Sequence, residues 1–264
     1  MNSFSFWPYL ALALMAVFLL GLPDLTACPL PAPCEKEKRL RGMDWALILC
    51  LSVIYAGFAF YRLGDRIAPE TSRPFKEGES AVLELREEAT VTRVQCYSVL
   101  GIGSYTLELS PDGANWVSVG TVEQTYAQLL RWLEICPAEG ISARYLRITA
   151  SGSPELGELC LRDETGKRLA WASVGVLTDE QERVPNRSAY ENSSYFDEIY
   201  HVRTAVEHIR GVWPYEISHP PLGKLIIALG ITLFGQNPFG WRFMGTLAGV
   251  LMVPLMYVFS KKLF

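Results

Sequence analysis

The chain has 264 residues, half of them hydrophobic and 20% charged, with a formal net charge of −4. No Lys/Arg cluster with interleaved aromatics occurs, which excludes a nucleic-acid-binding surface. The length admits one or two domains. The six Cys form no CxxC pair and no Cys/His group with zinc spacing, so neither a dedicated metal site nor a cofactor is expected.

The first apolar run, FSFWPYLALALMAVFLLGL at residues 4–22, carries no charge. As a helix it covers roughly 28 Å, about the hydrocarbon thickness of a bilayer. A signal peptide is the competing reading, and LTAC at residues 25–28 resembles a lipoprotein cleavage box. The missing Lys/Arg before the run favours a retained helix. A second run, residues 45–61, has Trp45 and Tyr61 at its ends like an aromatic belt. Between the two lies CEKEKRLRG, with Lys36, Lys38, Arg39 and Arg41, a short basic loop expected on the cytoplasmic side. The segment after Arg62 is then extracytoplasmic.

The middle of the chain has ordinary soluble composition and reads as β. AVLELR (81–86), VTRVQCY (91–97), YTLEL (105–109) and ARYLRIT (143–149) alternate or are rich in β-branched residues. SPDGANW (110–116) supplies Asp-Gly turn chemistry between two of them. Short strands with frequent turns predict a β-sandwich. Cys96, Cys136 and Cys160 fall in this region and leave room for one disulfide and one unpaired thiol. SYTLELSPDGANWVSVG, then LLRWLEI, then ARYLRITASG resembles the discoidin, or coagulation factor 5/8 type C, family of jelly-roll sandwiches. That likeness implies loops able to bind a glycan. Trp116 and Trp132 are candidates to stack on a sugar, with core packing the favoured role.

After the sandwich, Asn192, Ser193 or Ser194 is expected to cap a helix in which Ile199, Val202, Val206 and Ile209 form one apolar stripe. Such a helix suits a membrane surface. Asp197 and Glu198 fall in its first turn, where the helix dipole favours ionised carboxylates. His201 is four residues beyond Asp197 and on the same face, and is a candidate substrate- or donor-phosphate-binding residue. An ionised carboxylate there is a candidate base for an incoming hydroxyl, although acidic residues also simply start helices well. Gly211 and Pro214 end the helix. His219-Pro220-Pro221 then sets an extended entry into the next helix, with Lys224 just inside it. Lys224 is a candidate phosphate cation at a helix N-terminus. Arg242, at the start of the last apolar run (residues 239–259), is a second. Snorkelling toward lipid headgroups is the alternative role for both. Residues 222–235 are too few to span upright, so they are expected to lie at the outer interface or re-enter. Lys261 and Lys262 then end the last apolar run on the cytoplasmic side. A tight hairpin through Gln236 and Asn237, putting both lysines outside, is the alternative.

YFDEIYHVRTAVEHIRG, then HPPLGKLIIALGITLFG, then NPFGWRFMGTLAGVLMVPLMY resembles the protein O-mannosyltransferases, GT-C membrane glycosyltransferases of family 39. The resemblance implies an incomplete membrane α-helical GT-C fold interrupted by an all-β jelly-roll sandwich. Its parts are two transmembrane helices (1–64), the sandwich (68–180), an extracytoplasmic loop with FDE and HPPLGK (181–238), and a third transmembrane helix (239–264). It also implies a multi-pass membrane location and mannose transfer, with inversion, from polyprenyl-phosphate-mannose to Ser/Thr hydroxyls of secreted or membrane proteins. By the same likeness Asp197 is the base, Glu198 orients the acceptor or sugar, and Arg242 contacts the lipid phosphate. His219 and Lys224 shape the donor site. Two departures stand out: the sandwich replaces a short link, and three or so of about eleven helices are present, so an inactive fragment is expected. Two other readings remain open: a membrane-anchored glycan-binding module, and a GT-C transferase with a non-protein acceptor.

Overall fold

The computed structural model describes residues 39–263. The helix expected over residues 4–22, and Lys36, Lys38, Cys28 and Cys34, lie outside the described residues. The chain divides into two compact units. One holds residues 64–203 with 236–238; the other holds the described residues up to 63, residues 204–235, and those from 239 onward.

The first unit is an antiparallel β-sandwich of six strands: β1 (Arg73–Pro74), β2 (Ser80–Val91), β3 (Arg93–Ser110), β4 (Val117–Gln124), β5 (Arg131–Ile135) and β6 (Ile141–Arg162). The separate runs at 91–97 and 105–109 fall almost wholly in one long strand, β3. It pairs with β6 from Arg93 opposite Arg162 to Ser110 opposite Tyr145. β4 and β5 share the other edge of β3, and β1 and β2 pair with the far edge of β6. Register shifts at residues 96–101 of β3 mark bulges, which bend strands and raise their twist. Gly101 (φ +81°) permits this bend, because a Cβ there would sit 2.2 Å from the Ser153 carbonyl oxygen. Alternate residues of the strands then meet in one core that includes Val94, Tyr105, Leu107, Leu146, Ile148 and Leu159.

The SPDGANW turn joins β3 to β4 as its chemistry requires. The Asp112 carboxylate accepts the Ala114 and Asn115 N–H groups at 2.9 and 2.8 Å, and Gly113 supplies φ +75°. Trp132 is 2% exposed and packs on Tyr97, ring centres 5.2 Å apart. It is a core residue, not a sugar platform. Trp116 lies under the Arg147 guanidinium, 4.3 Å away, so an internal cation covers one of its faces. Cys96, Cys136 and Cys160 are all free thiols. Cys96 sits opposite Leu159 in the ladder and Cys160 opposite Gln95. Neighbouring strand residues point to opposite faces, so the two buried thiols diverge and the one disulfide is not made.

The unit also extends past residue 180. Ser188 Oγ donates to the Trp132 carbonyl (2.8 Å), and Ser193 Oγ accepts the Trp132 N–H (3.0 Å). Ser194 N–H reaches the Leu130 carbonyl (2.9 Å). These bonds cover the outer edge of β5, which would otherwise offer unpaired backbone groups.

Glu158 on β6 is fully buried. Burial pushes its carboxyl from an ordinary 4.5 up to about 8, against hydrogen bonds from Gln181 and the Glu180 N–H. It lies in a group with Asp179 and Glu180 whose carboxylate oxygens fall within 4.8 Å of one another. Glu180 Oε2 already accepts the Glu70 and Thr71 N–H groups at 2.8 and 3.0 Å. A carboxyl whose folded pKa is raised keeps its contribution at low pH and loses it as the unfolded form ionises more readily. The contribution of Glu158 to the stability of the sandwich should therefore be fully present below about pH 4.5 and be lost progressively up to about pH 8. Thermal unfolding at a series of pH values should show this decline, and Glu158→Gln should flatten it. An equal slope in the variant rules Glu158 out as the source.

The second unit is helical: α1 (Gly42–Phe60), the end of α2 (Glu198–Arg210), α3 (Pro221–Phe234) and α4 (Pro238–Leu263). α1 and α4 are long and apolar enough to cross a membrane, and large side chains such as Leu49, Phe58 and Leu255 are turned outward. The two helices run antiparallel. At one end Asp44 accepts Tyr257 Oη (2.8 Å) and meets Lys261 Nζ (3.2 Å). At the other, Phe60 packs on Phe243 (5.3 Å), and Arg242 Nη1 donates to the Leu63 carbonyl (3.0 Å). α3 has 14 residues, about 21 Å of helix, too short to span upright. It meets the start of α4 through Phe234 and Phe243, 4.3 Å apart. Gly230 makes that approach possible, since a Cβ there would sit 2.5 Å from the Gly240 carbonyl oxygen.

Candidate functional site

The α2 region opens at a turn. Tyr200 N–H reaches the Asp197 carbonyl (3.2 Å) and Ile199 N–H the Phe196 carbonyl (3.3 Å). The expected serine cap is not used, because Ser193 and Ser194 are buried against β5 and its approach. The Glu198 carboxylate takes that place and reaches back to the Tyr195 N–H (3.0 Å), which satisfies a donor at the helix start. The adjacent Asp197 carboxylate is exposed. It makes no hydrogen bond or ion pair with any described residue. His201 is half-buried.

Ile199, Val202, Ala205 and Val206 are buried as the stripe requires, but Ile209 is 40% exposed and Thr204, Glu207 and His208 are buried instead. α2 is thus covered round most of its girth rather than laid flat with one apolar side down. Glu207 explains part of this. Its carboxylate accepts the Tyr215 N–H (2.7 Å) and its carbonyl the Val212 N–H (3.1 Å), which folds the next loop back onto the helix.

HPPLGK lies at the end of that loop. Pro221 is the first residue of α3, with Pro220 before it, where a missing N–H costs nothing. Lys224 is 2% exposed. Its ammonium donates to the Glu216 carboxylate, to the Glu216 carbonyl (2.7 Å) and to the His219 carbonyl (3.5 Å). Glu216 also accepts the Ser218 N–H (2.7 Å) and the Ser218 hydroxyl. Lys224 first, then Ser218, holds its carboxyl well below the usual carboxylate range. The His219 side chain is 66% exposed, with Nδ1 3.3 Å from Glu216 and 3.2 Å from Ser218 Oγ. A pocket of about 220 Å³ lies here, walled by His208, Trp213, Ile217, His219, Lys224 and Leu225. Burial, with the Lys224 cation as a second cause, lowers the pKa of His208, which therefore stays neutral at pH 7.

Arg242 is 9% exposed and tied to Leu63. Asp197, Glu198 and His201 belong to the first unit, and His219, Lys224 and Arg242 to the second. Glu216 was missed by motif reading. An acidic residue three positions before HPP, with a lysine beyond it, was the available signal.

No family model matches the chain. It is similar to the polyprenol-phosphate-mannose–protein mannosyltransferase of Mycobacterium tuberculosis, 56% identical over 39 residues, 15% of this chain and 8% of that protein. The enzyme of the same name from Mycolicibacterium smegmatis is 45% identical over 47 residues, 18% of this chain and 9% of that protein. The matches thus span less than a tenth of the curated relatives' length. Among solved structures, the CBM32 of AlyQ in complex with 4,5-unsaturated mannuronic acid has a TM-score of 0.30 at 18% identity. It covers 34% of this chain and 74% of that one. A CBM32 domain of the GH89 protein of Clostridium perfringens has a TM-score of 0.32 at 20% identity, covering 39% and 83%.

Proposed function

We propose that the chain serves a membrane glycosyltransferase that moves mannose from polyprenyl-phosphate-mannose to Ser/Thr hydroxyls of secreted or membrane proteins, on the extracytoplasmic face. The observation that carries this reading is the Asp197 carboxylate, exposed at the head of α2 and not bonded within the described chain. The short similarity to the mycobacterial enzymes supports it. In this scheme Asp197 takes the proton from the acceptor hydroxyl as its oxygen attacks the anomeric carbon. The bond from that carbon to the phosphate oxygen breaks, and the configuration inverts. The lipid phosphate leaves with its charge met by Arg242, whose planar guanidinium matches phosphate oxygens, and by His219. A preorganised guanidinium and imidazole N–H donors of this kind stabilise charge as it develops. Glu198 and His201 flank Asp197, and Lys224 supports the donor side from inside the fold. Lipids surround α1 and α4, and a glycan at the sandwich is a further partner.

The complete protein in membranes should transfer labelled mannose from the lipid donor to a Ser/Thr peptide. Label appearing only in lipid or cell-wall glycan overturns the protein acceptor. The antiparallel pairing of α1 and α4 supports placing Lys261 and Lys262 on the cytoplasmic side with Arg39 and Arg41. A Lys262→Cys variant should then gain labelling by an impermeant thiol reagent only after the cells are opened. Labelling of intact cells above that of the unsubstituted protein, whose Cys136 thiol is already exposed, reverses this orientation.

A further inference from the structure

Lys224 stands where sequence places a phosphate cation, yet its ammonium has three donors and this chain supplies three acceptors: the Glu216 carboxylate, the Glu216 carbonyl and the His219 carbonyl. All three lie between residues 216 and 219, the turn that leads into α3. Glu216 is used as fully, by Lys224, by the Ser218 N–H and hydroxyl, and by the His219 N–H at 3.3 Å. The Lys224 side chain is 2% exposed and that of Glu216 13%. A phosphate that took the Lys224 ammonium would leave the Glu216 carboxylate unpaired in a mostly buried position, and breaking such a pair is costly.

We infer that Glu216 and Lys224 form a permanent neutral pair that positions His219, and that Glu216 is a positioning residue for the transfer reaction; this rests on the proposed function. The pair ties down both ends of the turn. It sets a carboxylate against His219 Nδ1, which fixes the imidazole plane. His219 also lines the pocket beside Lys224. His219 touches the donor phosphate; Glu216 and Lys224 act through it.

Two comparisons in the complete enzyme test this. Lys224→Met alone leaves Glu216 without its counter-charge, and kcat should fall about 100-fold as the turn shifts, the scale of effect that a small misplacement produces. Lys224→Met with Glu216→Gln leaves no unpaired charge and should recover most of that loss, with the donor KM near that of the unsubstituted enzyme. Glu216→Gln should lower kcat in the natural background and add nothing to His219→Ala. A double variant as impaired as Lys224→Met, with a raised donor KM, assigns Lys224 to the phosphate and overturns the inference. Additive losses for Glu216→Gln and His219→Ala overturn it as well. If the unsubstituted protein transfers no mannose, the proposed function fails instead. The pair itself is then judged by thermal unfolding in detergent, where the double variant should melt higher than Lys224→Met and the opposite order refutes it.

Discussion

Asp197→Asn in the complete enzyme should lower mannose transfer by about 10³-fold, within the range for loss of a positioned general base, with little change in donor KM. Asn keeps the size and shape of the side chain but cannot accept a proton. The structure removes the usual alternative explanation for such a loss. The Asp197 carboxylate holds no other described group, so its replacement breaks no bond among the described residues, and the melting temperature should stay put. Glu198→Gln is the control. That carboxylate accepts the Tyr195 N–H, a bond an amide oxygen can still accept, so the variant should lose less activity than Asp197→Asn. Transfer undiminished by Asp197→Asn removes Asp197 as the base. A loss in Glu198→Gln as deep as that of Asp197→Asn moves the proton to Glu198.

The sandwich was legible because its signals are local. Alternation in YTLEL and ARYLRIT and the Asp-Gly turn each act within a few residues, and each appears in place as β3, β6 and the β3–β4 turn. The union of two runs into one long β3 was not legible. It depends on a bend at Gly101, where a Cβ would meet the backbone of Ser153, Pro154 and Glu155 on the partner strand. The disulfide failed for a similar reason: Cys96 and Cys160 are brought to adjacent ladder positions one residue out of step, and no spacing in sequence records that. At the candidate site the motif residues were readable, but their duties were not. Ser193 and Ser194 have the chemistry of helix caps and are used by β5 instead. Lys224 has the chemistry of a phosphate ligand, and its ammonium is enclosed by Glu216, which no motif names. In each case a neighbour outside the motif, 61 to 65 residues away for the serines and eight for Lys224, competes for a side chain that local rules would assign elsewhere.

That competition makes Trp132→Ala the most informative change in the sandwich. Trp132 is among the largest fully enclosed side chains, 2% exposed against Tyr97. Replacing a buried Trp by Ala costs about 3–5 kcal/mol, a large share of the ~5–15 kcal/mol that holds a domain together. Chemical denaturation tracked by circular dichroism should show the midpoint fall sharply. A second effect arises at the edge of β5. The Trp132 N–H and carbonyl hold Ser193 and Ser188, and the Leu129 and Leu130 carbonyls hold Ser194, three residues before Asp197. The sandwich therefore anchors the strand of chain from which Asp197 projects. Loosening β5 should lower transfer even at temperatures where the sandwich remains folded. Ser193→Ala, which removes one anchor and no core volume, should reproduce part of the activity loss with a small change in stability. Full activity in both variants below their melting transitions would show that the sandwich is a passenger and that Asp197 is held by α2 alone.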